Sequence, residues 1–359
     1  MEVPTWNWKM TKGTFDCVEL ATSLILRTRL KFDNRSAGGY GVDYINFGSA
    51  GVKVSRIALG LGLRGQSDEA EAQRLVEHAI DSGINLIDCA NIYGPMDDRA
   101  NIGRSEVVVG KALAGKRDQV VLTSKVRSPI GTDPNDQGTS AFHILREIDN
   151  SLRRLNTDHL DVYLVHGYDE TTQPEETLRA LDDVVRSGKT RYIGCCNYQA
   201  WQVCRSLWVS DSTQSVSYIC VQNPYNLLNR SLESEMFGLI NDRGLGAMAY
   251  SPLAVGLLSG DYKPGEPPPD GSIWAAGRLG DYAKATSGRV GDAMAALFEV
   301  ASELGKTPAQ VAFAWILSHK EITCAISGAD NTGQIDDVIG SVGWEIPEEL
   351  LEKLNSVSQ

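Results

Sequence analysis

From Tyr44 onward, short apolar segments alternate with amphipathic ones, and no other feature narrows the possible folds so far. Strand-length candidates lie at Ile57–Leu61, Asn85–Asp88, Val120–Ser124, Leu160–Val165, Tyr192–Cys195, Tyr218–Val221, Gly246–Ala249 and Ile322–Ile326. Helical patterns separate them. The pattern over Asp68–Asp81 puts Ala72, Leu75, Val76, Ala79 and Ile80 on one face, with Ser67 expected as its N-cap. Thr307 followed by Pro308 reads as a cap with proline at the first helical position. Parallel strands need a crossover between them, so this alternation predicts an α/β fold, and eight units favour a closed (β/α)8 TIM barrel.

Such a barrel typically takes roughly 250 residues, and the chain has 359. The excess lies in an N-terminal β-hairpin over Tyr44–Arg56, a Gly- and Pro-rich loop over Gly260–Arg289 after strand seven, and a C-terminal helix over Pro347–Ser356. One barrel domain over 42–359 is therefore expected, with no composition shift to mark a second. Residues 1–41 carry no sustained period. They are expected to be a disordered arm or an annotation overhang, with Val42 as the native first residue, since a valine codon can serve as a bacterial start.

Composition decides what kind of ligand to look for. A formal net charge of -12 and a pI near 5.0 argue against a nucleic-acid or anionic-membrane surface and toward a small-molecule substrate. No apolar run is long enough to cross a bilayer, and Leu20–Leu30 is broken by Thr, Ser and Arg without a cleavage site after it. The seven cysteines show no paired spacing, as expected for reduced thiols in a cytoplasmic protein.

One motif points to a nucleotide at the wrong place. Gly60-x-Gly62-x-x-Gly65 follows an apolar segment and precedes a helix, with Asp88 at a distance suited to a ribose hydroxyl. In a Rossmann unit, however, the third glycine opens the helix, whereas here Gln66 and Ser67 intervene. The glycines are better read as the exit of barrel strand one, with Gly62 leaving a roomy substrate pocket.

Barrel chemistry sits at the carboxyl ends of several strands, and titratable residues collect there. Asp88 ends strand two, Tyr93 follows in its loop, Lys125 closes strand three and His166 closes strand four. Singly, each has an ordinary reading as a helix cap, a packing ring or a core imidazole. Together they permit specific chemistry. A tyrosine whose pKa is near ~10 when free can protonate a carbonyl oxygen if an ammonium stabilises its phenolate. Lys125 would do so, Asp88 would hold the lysine, and His166 would orient the substrate oxygen. No metal cage and no nucleophile paired with a base accompanies them, so hydride transfer with a proton relay suits the set.

Long motifs now carry a resemblance. Tyr44-x-x-Phe47-Gly48-x-x-Gly51-Val52-Lys53-Val54-Ser55-Arg56, Gly83-Ile84-Asn85-Leu86-Ile87-Asp88-x-Ala90-x-x-Tyr93-Gly94, Gly188-Lys189-x-Arg191-Tyr192-Ile193-Gly194 and Tyr250-Ser251-Pro252-Leu253 occur in order. In these the chain resembles the aldo-keto reductases over nearly all of 43–357. The resemblance implies a catalytic tetrad of Asp88, Tyr93, Lys125 and His166 and reversible carbonyl reduction with a nicotinamide cofactor. It further implies that Asn197 and Gln222 hold the carboxamide and that Tyr250 stacks on the ring. Ser251, Leu253 and Gly256 would take the pyrophosphate, and Gly328, Asn331 and Gln334 the adenosine phosphate region.

The chain departs from the family pattern at three places. Cys196 replaces a common serine before Asn197, with one of Cys195 and Cys196 expected in the core and the other lining the site near Cys89. The turn 328–334 holds Asp330 but no Lys or Arg to grip a 2'-phosphate. NADP(H) is the expectation from the family and NAD(H) from the local chemistry, unless a base elsewhere, such as Arg278, compensates. Gly167-Tyr168-Asp169 differs at the edge of the substrate pocket. Two other functions compete with the reductase: a cofactor-binding interaction protein resembling potassium-channel β subunits, and a barrel lyase or aldolase using Lys125 as a Schiff base. Trp274 and Tyr282 mark the long loop as a segment folding over cofactor or substrate.

Overall fold

The computed structural model describes residues 42–63, 66–95, 98–277 and 279–358. The expectations for residues 1–41, Gly65 and Arg278 lie outside them. The chain opens with an antiparallel pair, β1 (Tyr44–Asn46) and β2 (Lys53–Ser55). Then follow β3 (Ile57–Gly60), α1 (Glu69–Asp81), β4 (Leu86–Asp88), α2 (Arg104–Ala112), β5 (Val121–Val126) and α3 (Ala141–Leu155). The middle of the chain forms β6 (Leu160–Val165), α4 (Pro174–Arg186), β7 (Thr190–Cys196), α5 (Ala200–Thr213), β8 (Tyr218–Pro224), α6 (Met236–Arg243) and β9 (Gly246–Tyr250). It ends with α7 (Tyr282–Ala285), α8 (Arg289–Leu304), α9 (Pro308–Leu317), β10 (Cys324–Ser327), α10 (Thr332–Ile339) and α11 (Glu348–Ser358).

Strands β3 to β10 close into a parallel barrel in chain order, with β10 pairing β3 and β9. Successive side chains on a strand point to opposite faces, and this divides the core in two. Ala58, Leu86, Val121, Val162, Leu164, Cys196, Cys220, Met248, Cys324 and Ile326 fill the barrel. Their neighbours Ile57, Leu59, Ile87, Leu122, Val165 and Ala249 face the helices instead. The β1–β2 hairpin covers the amino-terminal mouth. A Cβ at Gly246 would lie 2.5 Å from the Phe47 ring, so the glycine opening β9 makes room for that plug.

Five of the helices begin where a side chain satisfies the first amide groups, at Asp68, Ser140, Asp281, Thr307 and Asn331. Thr307 caps α9 with a capping box to Gln310 and Pro308 in the first turn, as expected. The cap of α1 is corrected: Asp68, not Ser67, accepts from the amides of Ala70 and Glu71, and the helix starts at Glu69. A carboxylate one residue later outcompetes the hydroxyl for these donors. The buried face of α1 is the expected one.

Five of the eight barrel strands run one to three residues past their expected ends, β4 and β6 end where expected, and β3 stops one residue short. Lys125 is consequently the fifth residue of β5 rather than its closing neighbour, and β10 begins two residues after Ile322. The last helix is Glu348–Ser358, shifted from Pro347–Ser356. The long loop is no bare connection. Trp274 and Tyr282 are buried within it, with centroids 5.8 Å apart, and Trp274 Nε1 donates to the Val255 carbonyl at 3.1 Å. Among the described residues no helix is long and apolar enough to cross a membrane, and the six cysteines are unbridged.

Candidate active site

Period-two alternation aims Asp88, Thr123 and Lys125 into the barrel, because β4 and β5 pair with Asp88 opposite Thr123. Lys125 Nζ donates to Asp88 Oδ2 at 2.7 Å and to the Cys89 carbonyl at 2.9 Å. The other carboxylate oxygen accepts from Thr123 Oγ1 at 2.5 Å and from Gln222 Nε2 at 3.1 Å. Lys125 is completely buried. Burial pushes its pKa down, but the facing charge of Asp88 more than reverses this, and the net effect holds the lysine charged well beyond its ordinary range.

Above this pair stands Tyr93. Lys125 Nζ lies 4.7 Å from the centroid of its ring, and the phenol oxygen lies 3.2 Å from Nε2 of His166. The imidazole's other nitrogen lies 3.3 Å from Ser128 Oγ, and its backbone amide donates to the Val126 carbonyl at 2.8 Å. All four expected residues thus share one mouth of the barrel. The tyrosine loop is kept tight by Gly94, where a Cβ would fall 1.9 Å from the Asn101 carbonyl oxygen.

A second group of polar residues continues from this mouth along β7, β8 and β9. Asn197 has a left-handed backbone (φ 58°). Its Nδ2 donates to the His166 carbonyl at 2.8 Å, and its Oδ1 accepts from the Tyr250 hydroxyl at 2.8 Å. Gln222 is buried and turns down toward Asp88, while Cys196 Sγ donates weakly to its Oε1 at 3.7 Å. Cys195 packs outside the barrel and Cys196 inside, and Cys89 lies on the helix side with its Sγ donating to the Thr123 carbonyl at 3.2 Å. After Tyr250, Ser251, Ala254, Val255 and Gly256 all have positive φ. At Gly256 (φ +91°) a Cβ would also lie 2.6 Å from the Tyr262 ring. Turns with left-handed residues are a usual place for backbone amides to meet an anion.

At the far end, Asn331 Oδ1 caps α10 by accepting from Gln334 N at 3.0 Å, and Gln334 Oε1 accepts from Asp330 N at 2.8 Å. Gln66 Nε2 donates to the Asp330 carbonyl at 3.1 Å, which joins this turn to the segment before α1. The turn is exposed, and nothing lies within 4 Å of a Cβ built at Gly328. An extended nucleotide fits this donor set. Amides flank the mouth, a positive-φ loop follows β9, and the Asn331-capped N-terminus of α10 follows β10.

Sequence reasoning missed Thr123 and Ser128, and it named Asp169 only as part of a loop at the edge of the substrate pocket. Thr123 could have been found, because it sits two residues before Lys125 and so shares its face. Asp169 accepts from Thr139 N (2.8 Å), Thr139 Oγ1 (3.2 Å), Thr171 N (2.9 Å), Thr171 Oγ1 (2.6 Å) and Thr172 Oγ1 (3.0 Å). It binds the loop carrying His166 to the loop after β5. Its burial opposes ionisation, yet these donors outweigh that and hold the carboxyl at about 2.

The fold and mouth define a barrel enzyme built around an acid, a lysine, a phenol and an imidazole. The family model for the aldo/keto reductase family matches residues 56–359, and the chain belongs to that family of oxidoreductases. It is similar to the uncharacterized oxidoreductase YrpG of Bacillus subtilis, 33% identical over 332 residues, covering 88% of this chain and 96% of that one. A probable voltage-gated potassium channel subunit beta of Oryza sativa is 34% identical over 331 residues, covering 89% and 97%. Protein tas of Escherichia coli is 32% identical over 343 residues, covering 89% and 98%. The family generally uses NAD(P)H.

Proposed function

We propose that this protein reversibly reduces an aldehyde or ketone to an alcohol, with Tyr93 as the general acid and base. The observation that carries the reading is the placement of Lys125, pinned by Asp88 at 2.7 Å while its ammonium lies 4.7 Å from the Tyr93 ring centroid. A bound dihydronicotinamide supplies the hydride. Tyr93 gives its phenolic proton to the carbonyl oxygen as that oxygen gains charge, and the Lys125 ammonium stabilises the phenolate left behind. His166 Nε2, close to the phenol oxygen, donates a hydrogen bond that orients the substrate oxygen. In the reverse direction the phenolate takes the alcohol proton.

Asn197, Gln222 and Cys196 are the proposed carboxamide neighbours, with Tyr250 on the ring face. Ser251, Leu253 and Gly256 would hold the pyrophosphate, and Gly328, Asn331 and Gln334 the adenosine end. NADPH is the proposed donor on the family's habit. The lack of Lys or Arg in 328–334 argues for NADH, and initial rates with each cofactor decide between them. The substrate is a small carbonyl compound, and the unbridged cysteines support a reducing, cytoplasmic setting.

The test is turnover of simple aldehydes such as nitrobenzaldehyde by the purified protein, followed as loss of the dihydronicotinamide absorbance. Tyr93→Phe should abolish it while leaving cofactor binding intact. Similarity to channel subunits favours a second reading, a cofactor-binding partner protein, and cofactor binding without turnover of any carbonyl would support it. A Schiff-base lyase fits poorly, since Lys125 is held charged by Asp88 and cannot attack as a free amine.

A further inference from the structure

Two residues beside the site turn away from it and end on buried carboxylates. Asn91 lies inside the turn that Tyr93 closes by donating its amide to the Ala90 carbonyl at 3.2 Å. Its Nδ2 donates to Glu147 Oε2 at 3.0 Å, and its Oδ1 has no partner among the described residues. Ser124 precedes Lys125 on β5 and therefore points outward, where it donates to Glu106 Oε1. Glu106 on α2 and Glu147 on α3 are both fully buried. Arg154 joins them, with Nε 2.5 Å from Glu106 Oε2 and Nη2 3.5 Å from Glu147 Oε2.

We propose that Glu147, acting through Asn91, is a positioning residue for Tyr93, and that Arg154 locks this grip to the one Glu106 has on the strand of Lys125. The spacing between phenol and ammonium is then set from outside the barrel. The inference rests on reading Tyr93 as the proton donor. Its physical basis is that a buried carboxylate must keep its donors, and charge-assisted bonds hold their geometry more stiffly than neutral ones. Asn91 has its one side-chain bond on Glu147, so loss of that acceptor frees the turn. A reacting group displaced by about 1 Å can lose on the order of 100-fold in rate. Lys125 and His166 are charged or titratable groups that face Tyr93, with Asp88 behind the lysine.

The experiment uses the full chain with isotope-labelled tyrosine rings, the Tyr93 NMR signal being the one lost in Tyr93→Phe. In Glu147→Leu and in Asn91→Ala the Tyr93 titration midpoint should rise by about 0.5 pH unit or more, as the ammonium's hold on the phenolate loosens. The kcat for aldehyde reduction should fall roughly tenfold with little change in KM. Glu147→Gln keeps an acceptor for Asn91 but not its charge, so its midpoint and kcat should lie between those of Glu147→Leu and the unaltered protein. Leu354→Ala, a core truncation in α11, is the control for general loosening and should move neither. An unmoved midpoint in folded Asn91→Ala overturns the proposal, and so does an equal shift in Leu354→Ala or in Glu147→Gln. Should Glu147→Leu fail to fold, Asn91→Ala carries the test. Absence of turnover in the unaltered protein would instead defeat the reductase reading, while the NMR titration still decides this one.

Discussion

Lys125 Nζ stands 2.7 Å from Asp88 Oδ2, with the lysine side chain fully sealed and the aspartate 4% exposed. Breaking such a pair by removing one partner leaves a buried charge uncompensated, which costs about 3–5 kcal/mol. Asp88→Asn is therefore expected to lower the unfolding free energy extrapolated from urea denaturation by an amount in that range and to suppress turnover. The pH dependence follows from the direction of the lysine's shift. Its folded pKa is raised, so the stabilisation is complete below the unfolded value of about 10.4 and fades as pH rises beyond it. Unfolding measured across neutral to strongly alkaline pH should show the gap between the two proteins narrow above that value.

Asp169 makes the opposite case. Held at about 2 against an unfolded value of ~3.9, its ionised form stabilises the fold. That contribution is present above the unfolded pKa and disappears as pH falls through the folded one. Asp169→Asn should be less stable than the unaltered protein at neutral pH, and denaturation curves of the two should converge on acidification toward pH ~2.

The thiols should react in an order set by exposure. Cys204 is exposed, whereas Cys196 is 1% exposed and its pKa is raised by burial. Peptide mass spectrometry after brief alkylation at neutral pH should find Cys204 labelled well before Cys196, with activity retained. Rapid labelling of Cys196 would contradict the packing of the barrel interior.

Gly256 combines a positive φ with contact against the Tyr262 ring. Gly256→Ala should cost about 1–3 kcal/mol in stability and weaken cofactor binding more than it alters the pH profile of turnover. Calorimetric unfolding and fluorescence titration with each nucleotide measure the two effects.

How much was legible beforehand differs from element to element. The eight barrel strands were found because a parallel strand covered on both faces reads as an uninterrupted apolar run. Their ends were not, since polar residues such as Thr123 and Lys125 continue β5 while facing into the barrel. Asp88, Tyr93, Lys125 and His166 stood out as titratable residues at strand ends. Thr123 carried a period-two signal that went unused. Ser128 carried none, and Asp169 was noticed only as a member of the loop after His166 and not for its partners, because loop side chains find partners according to how two loops meet.

The order of strands and helices, the inward and outward faces, and the four residues at the barrel mouth were all determined by the chain itself, through periodicities of two and 3.6 that any folded form must respect. Closure of β10 onto β3, the hydrogen bonds from Thr123 and Gln222 to Asp88, and the path from Arg154 through Glu147 to Asn91 were decided by tertiary structure alone. Apart from the seven positions between Arg154 and Glu147, these contacts join residues 35 to 268 positions apart, and a local pattern holds no information on which distant partner will satisfy a buried polar atom.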